Sequence, residues 1–471
     1  MLLKYLINMD RKTKIIATVG PSLASEQKIH SAINLGADVI RINFSHGTLE
    51  DHKQFINWAR SSDKQVAIMQ DIQGPKIRTG FVKENTILQK SEEINLTNKE
   101  SESSNESIFI NYKNLFKDVD LNDRIFVDDG QIILKIIDKQ KNNLRALILI
   151  GGELRDNQGV AFPDSNLSVS AITKQDIEHL KFGTEHDIDF VAVSFVRNGE
   201  DIKSVRDIVP KDVKIIAKIE LKTALENIDE ILQVSDGVMV ARGDLGVQLP
   251  IEQVPFVQKQ ILDAANKKGK ISITATEMLQ SMKSSYRPTR AEVTDITNAI
   301  LEGSDAVMLS AETSVGKFPV EVVSQISKII SSVEFSDQIN VPASPPTIRT
   351  NRYRTKFICY HAAKIANETG AAAITTLTNS GYTGFQVSSW RPHTNIIVFT
   401  SNKRILCRLS LLWGVKSIFY NRSVSTDKTI DEINYIVNQK GFAKKGDIVI
   451  NLAAMPVKDQ GMVNTLKLSE I

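Results

Sequence analysis

The stretch that decides the fold is KIIAKIELKTALENIDEILQVSDGVMVARGD, residues 214–244. It begins and ends with apolar runs rich in Ile and Val, KIIAKIE and GVMVARGD, which are typical of buried strands. Between them, the segment TALENIDEILQVS has apolar residues at helical spacing. A strand, a helix and a second strand in this order predict a βαβ unit, in which the two strands are parallel members of one sheet.

The same alternation extends in both directions along the chain. Eight strand-like runs can be counted: KIIATVG (14–20), DVIRINF (38–44), QVAIMQD (65–71), FVAVSF (190–195), KIIAKIE (214–220), GVMVARGD (237–244), KISITAT (270–276) and AVMLSAE (306–312). Helix-like segments separate them, such as SEQKIHSAINLG and PFVQKQILDAANKKG, which end at Gly36 and Gly269. Eight strand–helix units predict an α/β fold, a (β/α)8 TIM barrel.

The barrel pattern is interrupted once. Between Pro75 and Pro163 the chain has no convincing amphipathic helix and instead shows alternating segments such as DRIFVDDGQIILKIID. We interpret residues 74–163 as an inserted small β-barrel domain that forms a lid at the mouth of the barrel. Residues 1–73 and 164–342 then supply the first and second parts of the barrel domain.

A second change of pattern follows the Pro- and Ser-containing segment SDQINVPASPPT. Beyond it, the strand-like runs AAAITTLT, NIIVFTS, KSIFY and GDIVINLA alternate with the helix-like segments RILCRLSLLWG and DKTIDEINYIVNQKG. Residues 343–471 are therefore predicted to form a C-terminal open α/β domain.

Composition excludes several classes of protein. The 471 residues carry 58 Lys and Arg against 55 Asp and Glu, a formal charge of +3, without a basic tract for nucleic acid. The two cysteines, Cys359 and Cys407, exclude a disulfide framework and fit a reducing compartment, so a cytoplasmic location is expected. The N-terminal MLLKYLINMDRK is a poor signal peptide, and Met9 could be an alternative start to Met1. No membrane-spanning run of about 20 apolar residues occurs.

Polar side chains follow the predicted strands, at the end where barrel active sites are built. They are Arg41, Asn43, Ser45 and His46 after the second strand, Asp71, Lys76 and Arg78 after the third, Lys218 and Glu220 in the fifth, Arg242 and Asp244 in the sixth, Thr276 in the seventh, and Ser310 and Glu312 in the eighth. The carboxylates of Glu220 and Asp244 are suitable ligands for Mg²⁺ or Mn²⁺. The side chains of Arg41, Arg78 and Lys218 are suitable partners for phosphate or carboxylate oxygens.

Each of these residues also has an ordinary structural interpretation. Lys218 with Glu220 could be an ion pair inside the barrel, and Asp244 could be a turn former. Thr276 and Ser310 could be helix caps, and His46 could be a hydrogen-bonded surface residue. Convergence of independent strand ends on one place favours a functional site.

The motifs, in this order, resemble the pyruvate kinase family. The residues that carry the resemblance cover nearly the whole chain: TKIIATVGPS, GADVIRINFSHG, QDIQGPKIRTG, VDDGQI, GVAFPD, DFVAVSF, KIE, DGVMVARGDLGV, ITATEMLQSM, RPTRAEVTDITNAILEGSDAVMLSAET and NSGYTGFQVSSWRP. The resemblance implies a glycolytic enzyme that transfers the phosphoryl group of phosphoenolpyruvate to ADP. It also implies a homotetramer.

The resemblance further implies a role for each site residue. Lys218 and Arg41 would contact the transferring phosphoryl group, and Glu220 and Asp244 would hold the divalent metal. The backbone around Ala241, Gly243 and Asp244 would bind the substrate carboxylate together with Thr276. Protonation of the enolate would involve Thr276 and Ser310 through a water near Glu312, while Asn43, His46, Arg78 and Asp129 would approach ADP.

Two departures from the family pattern lead to further expectations. Many members bind K⁺ at positions matching Asn43, Ser45, Asp71 and the carbonyl of Ile72, and have glutamate where this chain has Lys76. An ammonium there would repel K⁺ and could supply the positive charge that K⁺ otherwise provides, so a K⁺-independent enzyme is expected. The alternative is that Lys76 points outwards and K⁺ is retained by the intact ligands.

The second departure lies in TNSGYTG, residues 378–384. Thr378, Ser380, Gly381 and Thr383 match a phosphate nest of allosterically activated members, but Asn379 and Tyr382 stand where relatives that respond to fructose bisphosphate often have a basic residue. A sugar monophosphate or nucleotide effector remains open, as does the absence of any effector.

Two rival functions also remain open. A Mg²⁺-dependent aldolase or lyase acting on pyruvate enolates could use the same barrel with Glu220 and Asp244. A non-catalytic metabolite-binding homologue is the other alternative. The aldolase or lyase would not need Lys218, Arg78 or the inserted lid. The non-catalytic homologue is disfavoured because none of the expected catalytic side chains is missing.

Overall fold

A computed structural model describes residues 11–336, 339, 345–346, 352–422, 426–455 and 461–471. The two candidate start residues, most of the predicted linker and the proposed boundary between residues 342 and 343 lie outside these ranges. The other proposed domain boundaries remain predictions.

The eight predicted parallel strands form a closed barrel, which confirms the predicted fold class. Its strands are β1 (Lys14–Val19), β2 (Val39–Asn43), β3 (Ala67–Ile72), β12 (Phe190–Val193), β13 (Lys214–Ile219), β14 (Gly237–Ala241), β15 (Ile271–Ala275) and β16 (Ala306–Leu309). Their spatial order is β1-β16-β15-β14-β13-β12-β3-β2, with β2 returning to β1. The residues of these strands are almost all buried, which explains their nearly continuous apolar sequence.

Helices surround the barrel between successive strands. They are α1 (Glu26–Asn34), α2 (Leu49–Arg60), α4 (Lys174–Glu185), α5 (Gly199–Arg206), α6 (Lys222–Glu226), α7 (Ile228–Val234), α8 (Arg242–Gln248), α9 (Val254–Lys268), α10 (Arg290–Leu301), α11 (Ala311–Ser314) and α12 (Pro319–Phe335). Helix α9 ends as predicted at Gly269, whose φ of 64° is left-handed. The helix predicted in TALENIDEILQVS is divided in two at Asn227.

Two barrel strands end earlier than their apolar runs indicate. The sequence RGD after β14 begins helix α8, and the sequence AE after β16 begins α11. The backbone therefore turns at Ala241 and Ser310, and these turns place polar groups at the open end of the barrel.

The inserted region is all-β apart from one helical turn, α3 (Leu115–Asp118). Its strands are β4 (Ile87–Leu88), β5 (Glu93–Thr97), β6 (Ser107–Phe109), β7 (Arg124–Val127), β8 (Ile132–Gln140), β9 (Asn143–Ile150), β10 (Gly152–Glu153) and β11 (Val160–Ala161). Six of them form one sheet in the order β11-β7-β8-β9-β5-β6. Single bridges from Arg78 to Gly159 and from Thr79 to Ile110 connect the two edges, so closure of this small barrel depends on isolated pairs.

The C-terminal domain is the predicted open α/β layer. Its sheet has the order β19-β18-β17-β20-β21. The strands are β17 (Ala373–Leu377), β18 (Asn395–Thr400), β19 (Val415–Phe419), β20 (Ile448–Ala453) and β21 (Thr465–Glu470), with helices α13 (Tyr353–Thr369), α14 (Tyr382–Ser389), α15 (Lys403–Leu409) and α16 (Thr426–Gln439). Strand β21 is antiparallel to β20 and, like α13 and α14, was not predicted from the sequence.

Within the described ranges, the helices are all too short or too polar to span a bilayer.

Candidate active site

Strand β13 places Lys218 and Glu220 at the open end of the barrel. The ammonium Nζ of Lys218 lies 2.8 Å from Glu220 Oε1 and 3.5 Å from Asp71 Oδ1. It also donates a hydrogen bond of 2.8 Å to Ser194 Oγ. Burial alone would lower the pKa of Lys218, but the carboxylates of Asp71 and Glu220 outweigh burial and raise the pKa above its usual value. Lys218 is therefore a fixed positive charge at the end of β13.

A second fixed cation lies beside it on β2. Arg41 Nε is 2.8 Å from Asp71 Oδ2, and the same guanidinium donates to Thr18 Oγ1 at 3.0 Å. Burial of Asp71 would raise the pKa of its carboxyl, but Arg41 and then Lys218 hold it below the usual value. One buried carboxylate, Asp71, thus positions both predicted phosphate-binding cations.

Glu220 and Asp244 line one cavity of about 890 Å³ between the barrel and the inserted domain. Burial raises the pKa of Glu220, an effect that Lys218 opposes and the nearby charge of Asp244 increases. The pKa of Asp244 is also raised, mainly by desolvation in the cavity, with Lys218 again opposing the shift. The two carboxylates therefore share a region in which their negative charges are incompletely balanced, and an added cation would be favourable there.

The turn after β14 is held by Thr276, the residue that follows β15. The Oγ1 atom of Thr276 accepts a hydrogen bond of 2.9 Å from the backbone N–H of Gly243. Arg242 donates to the carbonyl of Thr276 at 2.6 Å and pairs with Asp295 at 2.7 Å. Thr276 has a left-handed φ of 66°, a conformation that costs a β-branched residue energy and that these contacts maintain.

This geometry refines the predicted carboxylate site. The alternative considered for Thr276 was a helix cap. Thr276 does accept the N–H of Gly243 in the first turn of α8, although it follows a different strand, β15. Ala241 is the N-cap residue of α8, and Asp244 lies in its first turn. The predicted backbone and hydroxyl groups are therefore neighbours, and the hydroxyl of Thr276 itself donates to the carbonyl of Ala275 at 2.6 Å.

Ser310 and Glu312 lie at the start of α11, after β16. One oxygen of Glu312 accepts the N–H of Leu279 at 3.0 Å, and the other accepts the N–H of Ser310 at 2.8 Å. Through these two hydrogen bonds the fully buried carboxylate of Glu312 connects the loops that follow β15 and β16. It thereby fixes the backbone of Ser310 relative to the loop that contains Thr276.

Lys76 points towards the residues predicted to bind K⁺. Its Nζ lies 3.4 Å from Ser45 Oγ, and its side chain is half-buried. Burial lowers the pKa of Lys76, with Arg78 and Lys218 adding to the effect, while Asp244 and Asp71 oppose it. Lys76 therefore belongs to the same electrostatic group as the strand-end residues and does not point away from it.

The remaining K⁺ positions already have hydrogen-bond partners. Asn43 Oδ1 accepts from the N–H of Ser45 at 3.1 Å, and the carbonyl of Ile72 accepts from Ser194 Oγ at 2.7 Å. The carboxylate of Asp71 is shared by Arg41 and Lys218. Each predicted oxygen is thus engaged by a protein donor.

Of the residues predicted to approach ADP, Arg78 and Asp129 line the cavity, whereas Asn43 and His46 are not part of its lining. His46 is exposed; partial burial lowers the pKa of its imidazole, and Lys76, Arg78 and Arg41 lower it further. His46 therefore faces a cluster of cations, as expected beside an anionic ligand.

The predicted effector nest is remote from this cleft and forms the start of α14. The N–H of Gly381 donates to Thr378 Oγ1 at 3.1 Å, and the N–H of Tyr382 donates to Ser380 Oγ at 3.4 Å. Gly381 has a left-handed φ of 78°, and Thr383 is buried. The N–H groups of Gly381 and Tyr382 are thus engaged by hydroxyls of the same loop, and the effector site remains a prediction.

Sequence reasoning missed Ser194. It donates to the carbonyl of Ile72 at 2.7 Å and accepts from Lys218, so it joins β3 to β13 at the site. Its position as a serine near the end of the run FVAVSF, after four buried apolar residues, was a signal that could have identified it.

These features define the class of protein as a TIM-barrel enzyme with a cation-rich, carboxylate-lined cleft under an inserted β domain. Family models agree with this class: "Pyruvate kinase, barrel domain" matches residues 10–323, and "Pyruvate kinase, alpha/beta domain" matches residues 356–469.

Similar proteins give the same result. Pyruvate kinases of Staphylococcus aureus strains MRSA252 and USA300 are each 39% identical over 468 residues, which is 97% of this chain and 80% of theirs. The crystal structure of a pyruvate kinase from Cryptosporidium parvum superposes with a TM-score of 0.90 at 30% identity, covering 98% of this chain and 96% of that one. The chain belongs to the pyruvate kinase family, and it is a phosphotransferase.

Proposed function

We propose that this enzyme transfers the phosphoryl group of phosphoenolpyruvate to ADP, giving pyruvate and ATP, as a step of glycolysis. The observation that carries the proposal is the position of Lys218. Its ammonium is held 2.8 Å from Glu220 in a network with Arg41 and Asp71, beside a cavity large enough for two small ligands. Phosphoryl transfer depends on positioned positive charge of this kind.

Lys218 and Arg41 bind the phosphoryl group in this proposal. Their shared counter-ion Asp71 is almost fully buried, so movement of either cation away from the site would leave buried carboxylate charge less well balanced. Asn43, His46 and Arg78 contact ADP, and Asp129 approaches it from the inserted domain. Closure of that domain would exclude water, which competes with ADP for the phosphoryl group.

The donor set fits a divalent metal, Mg²⁺ or Mn²⁺. Within the described part of the chain, the carboxylate of Asp244 accepts no hydrogen bond and no group of three or more His, Cys, Asp and Glu side chains forms a cage. Two carboxylates with remaining positions for ligand oxygens and waters are what Mg²⁺ prefers. Glu220 and Asp244 would hold the metal, which when bound stabilises charge on the phosphoryl and enolate oxygens.

The substrate carboxylate would bind at the turn after β14. The backbone of Ala241, Gly243 and Asp244 forms the start of α8 there. The N–H of Gly243 donates to Thr276 Oγ1 and the hydroxyl of Thr276 donates to the carbonyl of Ala275, so both donors would exchange these partners for the substrate carboxylate. After transfer, the enolate must gain a proton on its methylene carbon. Thr276 and Ser310 would position a water for this step, and Glu312 fixes the two loops that carry them.

A coupled assay tests the activity. Pyruvate release from phosphoenolpyruvate should require ADP and a divalent metal, and chelation of the metal should abolish it. Pyruvate release that does not depend on ADP would support the aldolase or lyase alternative. Absence of turnover together with phosphoenolpyruvate binding would support the non-catalytic alternative.

We also propose that the enzyme does not require K⁺. The contact of Lys76 with Ser45 supports this proposal, because it puts an ammonium beside one of the residues predicted to bind K⁺. In a buffer with tetramethylammonium as the monovalent cation, the rate should therefore change by less than about twofold when K⁺ is added.

Replacement of Lys76 by glutamate should create a K⁺ requirement. The Lys76→Glu variant should lose activity on the order of 10-fold or more without K⁺, because an anion then replaces a cation beside the phosphate site, and K⁺ should restore it. Lys83→Glu, at an exposed position of the inserted domain, is the matched control and should keep the wild-type response. Severe loss of wild-type activity without K⁺ would overturn the proposal.

Family likeness supports a homotetrameric, cytoplasmic enzyme. Light scattering of the purified chain should give a mass of four subunits. A monomer or dimer in solution would show that this chain differs from the expected assembly.

A further inference from the structure

The loop of residues 44–47, FSHG, joins β2 to α2 and carries part of the proposed nucleotide site. Its backbone follows the sheet only as far as Phe44, whose N–H donates to a carbonyl of β3 at 3.0 Å. The N–H groups of Ser45 and His46 bond to the side chain and the carbonyl of Asn43, at 3.1 and 3.3 Å, and so remain within the turn. The outer part of the loop therefore needs a contact from another element to fix its position.

The side chain of His52, near the start of α2, supplies this contact. Its Nε2 lies 2.8 Å from the carbonyl oxygen of His46. Side chains of an α-helix point back towards its N-terminus, so the ring reaches over the loop that precedes the helix. In the described part of the chain, this is the only hydrogen bond that joins the backbone of residues 45–47 to residues outside the segment 43–47.

The chemistry of the two partners determines which ring nitrogen carries the proton. A carbonyl oxygen only accepts, so Nε2 of His52 carries the proton and donates it to His46. The other nitrogen, Nδ1, is buried and has no hydrogen-bond partner among the described residues. Burial lowers the pKa of His52, and the bond to His46 opposes that shift; His179 lowers the pKa further, and Asp51 raises it. The ring is therefore a neutral donor.

Close packing holds the ring in this position. The side chain of His52 belongs to a residue that is only 2% exposed. Its ring centroid lies 4.1 Å from that of Phe44, which in turn lies 5.1 Å from the ring of His179 on α4. Phe44 thus anchors the inner end of the loop against the same ring that binds the outer end.

Gly47 allows the ring to approach the loop this closely. It has a left-handed φ of 81°, and a Cβ atom at this position would lie 3.3 Å from His52 Nε2, tighter than an ordinary van der Waals contact. A side chain here would strain the turn and crowd the ring. The glycine and the histidine therefore form one arrangement that fixes the carbonyl of His46.

We propose that His52 is a positioning residue for the nucleotide: by binding the carbonyl of His46 it holds the loop of residues 44–47 in the orientation that lets His46 and Asn43 contact ADP. His52 is buried and acts only through the loop. This inference rests on the proposed function, because the roles of His46 and Asn43 belong to that proposal.

The contact should affect the two substrates differently. Arg41 and Lys218, the cations proposed to bind the phosphoryl group, lie within strands β2 and β13 and share the carboxylate of Asp71. His52 contacts none of these side chains, since its only printed side-chain bond is to His46. Loss of the His52 donor should therefore weaken binding of ADP and leave binding of phosphoenolpyruvate largely unchanged.

Calorimetric titration of the full chain with ADP and Mg²⁺ measures this without reference to turnover. His52→Leu removes the donor and should weaken ADP binding by about 3- to 10-fold, the loss expected for one hydrogen bond. In steady-state assays, KM for ADP should rise by a similar factor, while KM for phosphoenolpyruvate stays within about twofold of the wild-type value.

Two further variants separate positioning from packing. In His52→Gln the side-chain amide nitrogen can take the place of Nε2 and donate to His46, so most of the ADP affinity should return. His179→Leu is the matched control, because His179 contacts the same Phe44 ring, and within the described ranges its side chain makes no hydrogen bond to the loop. This variant should bind ADP as the wild type does.

The remaining outcomes would contradict the inference. Wild-type ADP affinity in a folded His52→Leu enzyme would overturn it, as would no recovery in His52→Gln, an equal loss in His179→Leu, or an equal rise of KM for both substrates. A wild-type chain that does not bind ADP would refute the proposed function itself. If His52→Leu fails to fold, Gly47→Ala decides the question from an exposed position: it disturbs the same contact, and unchanged ADP affinity would overturn the inference.

Discussion

Replacement of Lys218 by glutamine should lower kcat by about 10³- to 10⁵-fold, the range known for removal of a cation that stabilises a transferring phosphoryl group. Glutamine retains a donor for Ser194 Oγ, which accepts from Lys218 at 2.8 Å, but it carries no charge. The loss should therefore come from electrostatics and not from a missing hydrogen bond. Steady-state kinetics at saturating metal and ADP measure it.

Stability must be measured in parallel, because Lys218 also balances Asp71 and Glu220. Lys218→Arg keeps the positive charge and separates the two effects: it should fold like the wild type, and any loss of kcat would then reflect geometry. Lys211→Gln, at an exposed position before β13, should change neither property. Wild-type kcat in a folded Lys218→Gln enzyme would contradict the assigned role.

The residues of the cleft show which parts of a site a sequence can specify. Lys218 and Glu220 are two positions apart in one strand, so period-2 geometry alone predicted that they share a side. Asp71 was predicted as a K⁺ ligand, and its bonds to Arg41 and Lys218 could not be foreseen, because they join β2, β3 and β13 across the barrel. Pairing between distant strands depends on closure of the barrel, which no local pattern encodes.

Element ends show the same limit. The sequence predicts strands over the whole of the runs GVMVARGD and AVMLSAE. In the structure, β14 ends at Ala241, and β16 ends at Leu309, directly before Ser310. Contacts from other strands determine these turns, such as Thr276 to Gly243 and Glu312 to Leu279. Strand β21 was missed because TLKLSE is half-polar and antiparallel at a sheet edge, so its burial pattern differs from that of the other strands.

The interface between the barrel and the C-terminal domain contains a buried ion pair that the sequence did not reveal. Arg391 follows α14, and its guanidinium lies 2.7 Å from Asp305, directly before β16. The same guanidinium donates to the carbonyl of Gly303 at 2.6 Å, and the ring of Trp413 covers it. Both side chains are at least 95% buried, with exposures of 2% and 5%.

Removal of one partner of this pair should be costly. Arg391→Met should destabilise the protein by about 3–5 kcal/mol, because the carboxylate of Asp305 then stays buried without a counter-charge. The shift of the urea midpoint, read together with the m-value, measures the effect. An exposed pair across the same interface, Arg404 with Asp212 at 3.3 Å, supplies the control: Arg404→Met should change stability by less than about 1 kcal/mol.

A double-mutant cycle identifies the cause of the loss. Asp305→Asn added to Arg391→Met removes the unpaired charge, so the double variant should be more stable than Arg391→Met alone if the buried carboxylate is responsible. Ser272 donates to Asp305 from its backbone N–H at 2.8 Å, and an asparagine oxygen can still accept that bond. Additive losses in the cycle would mean that packing of Arg391 against Trp413, and not its charge, joins the two domains.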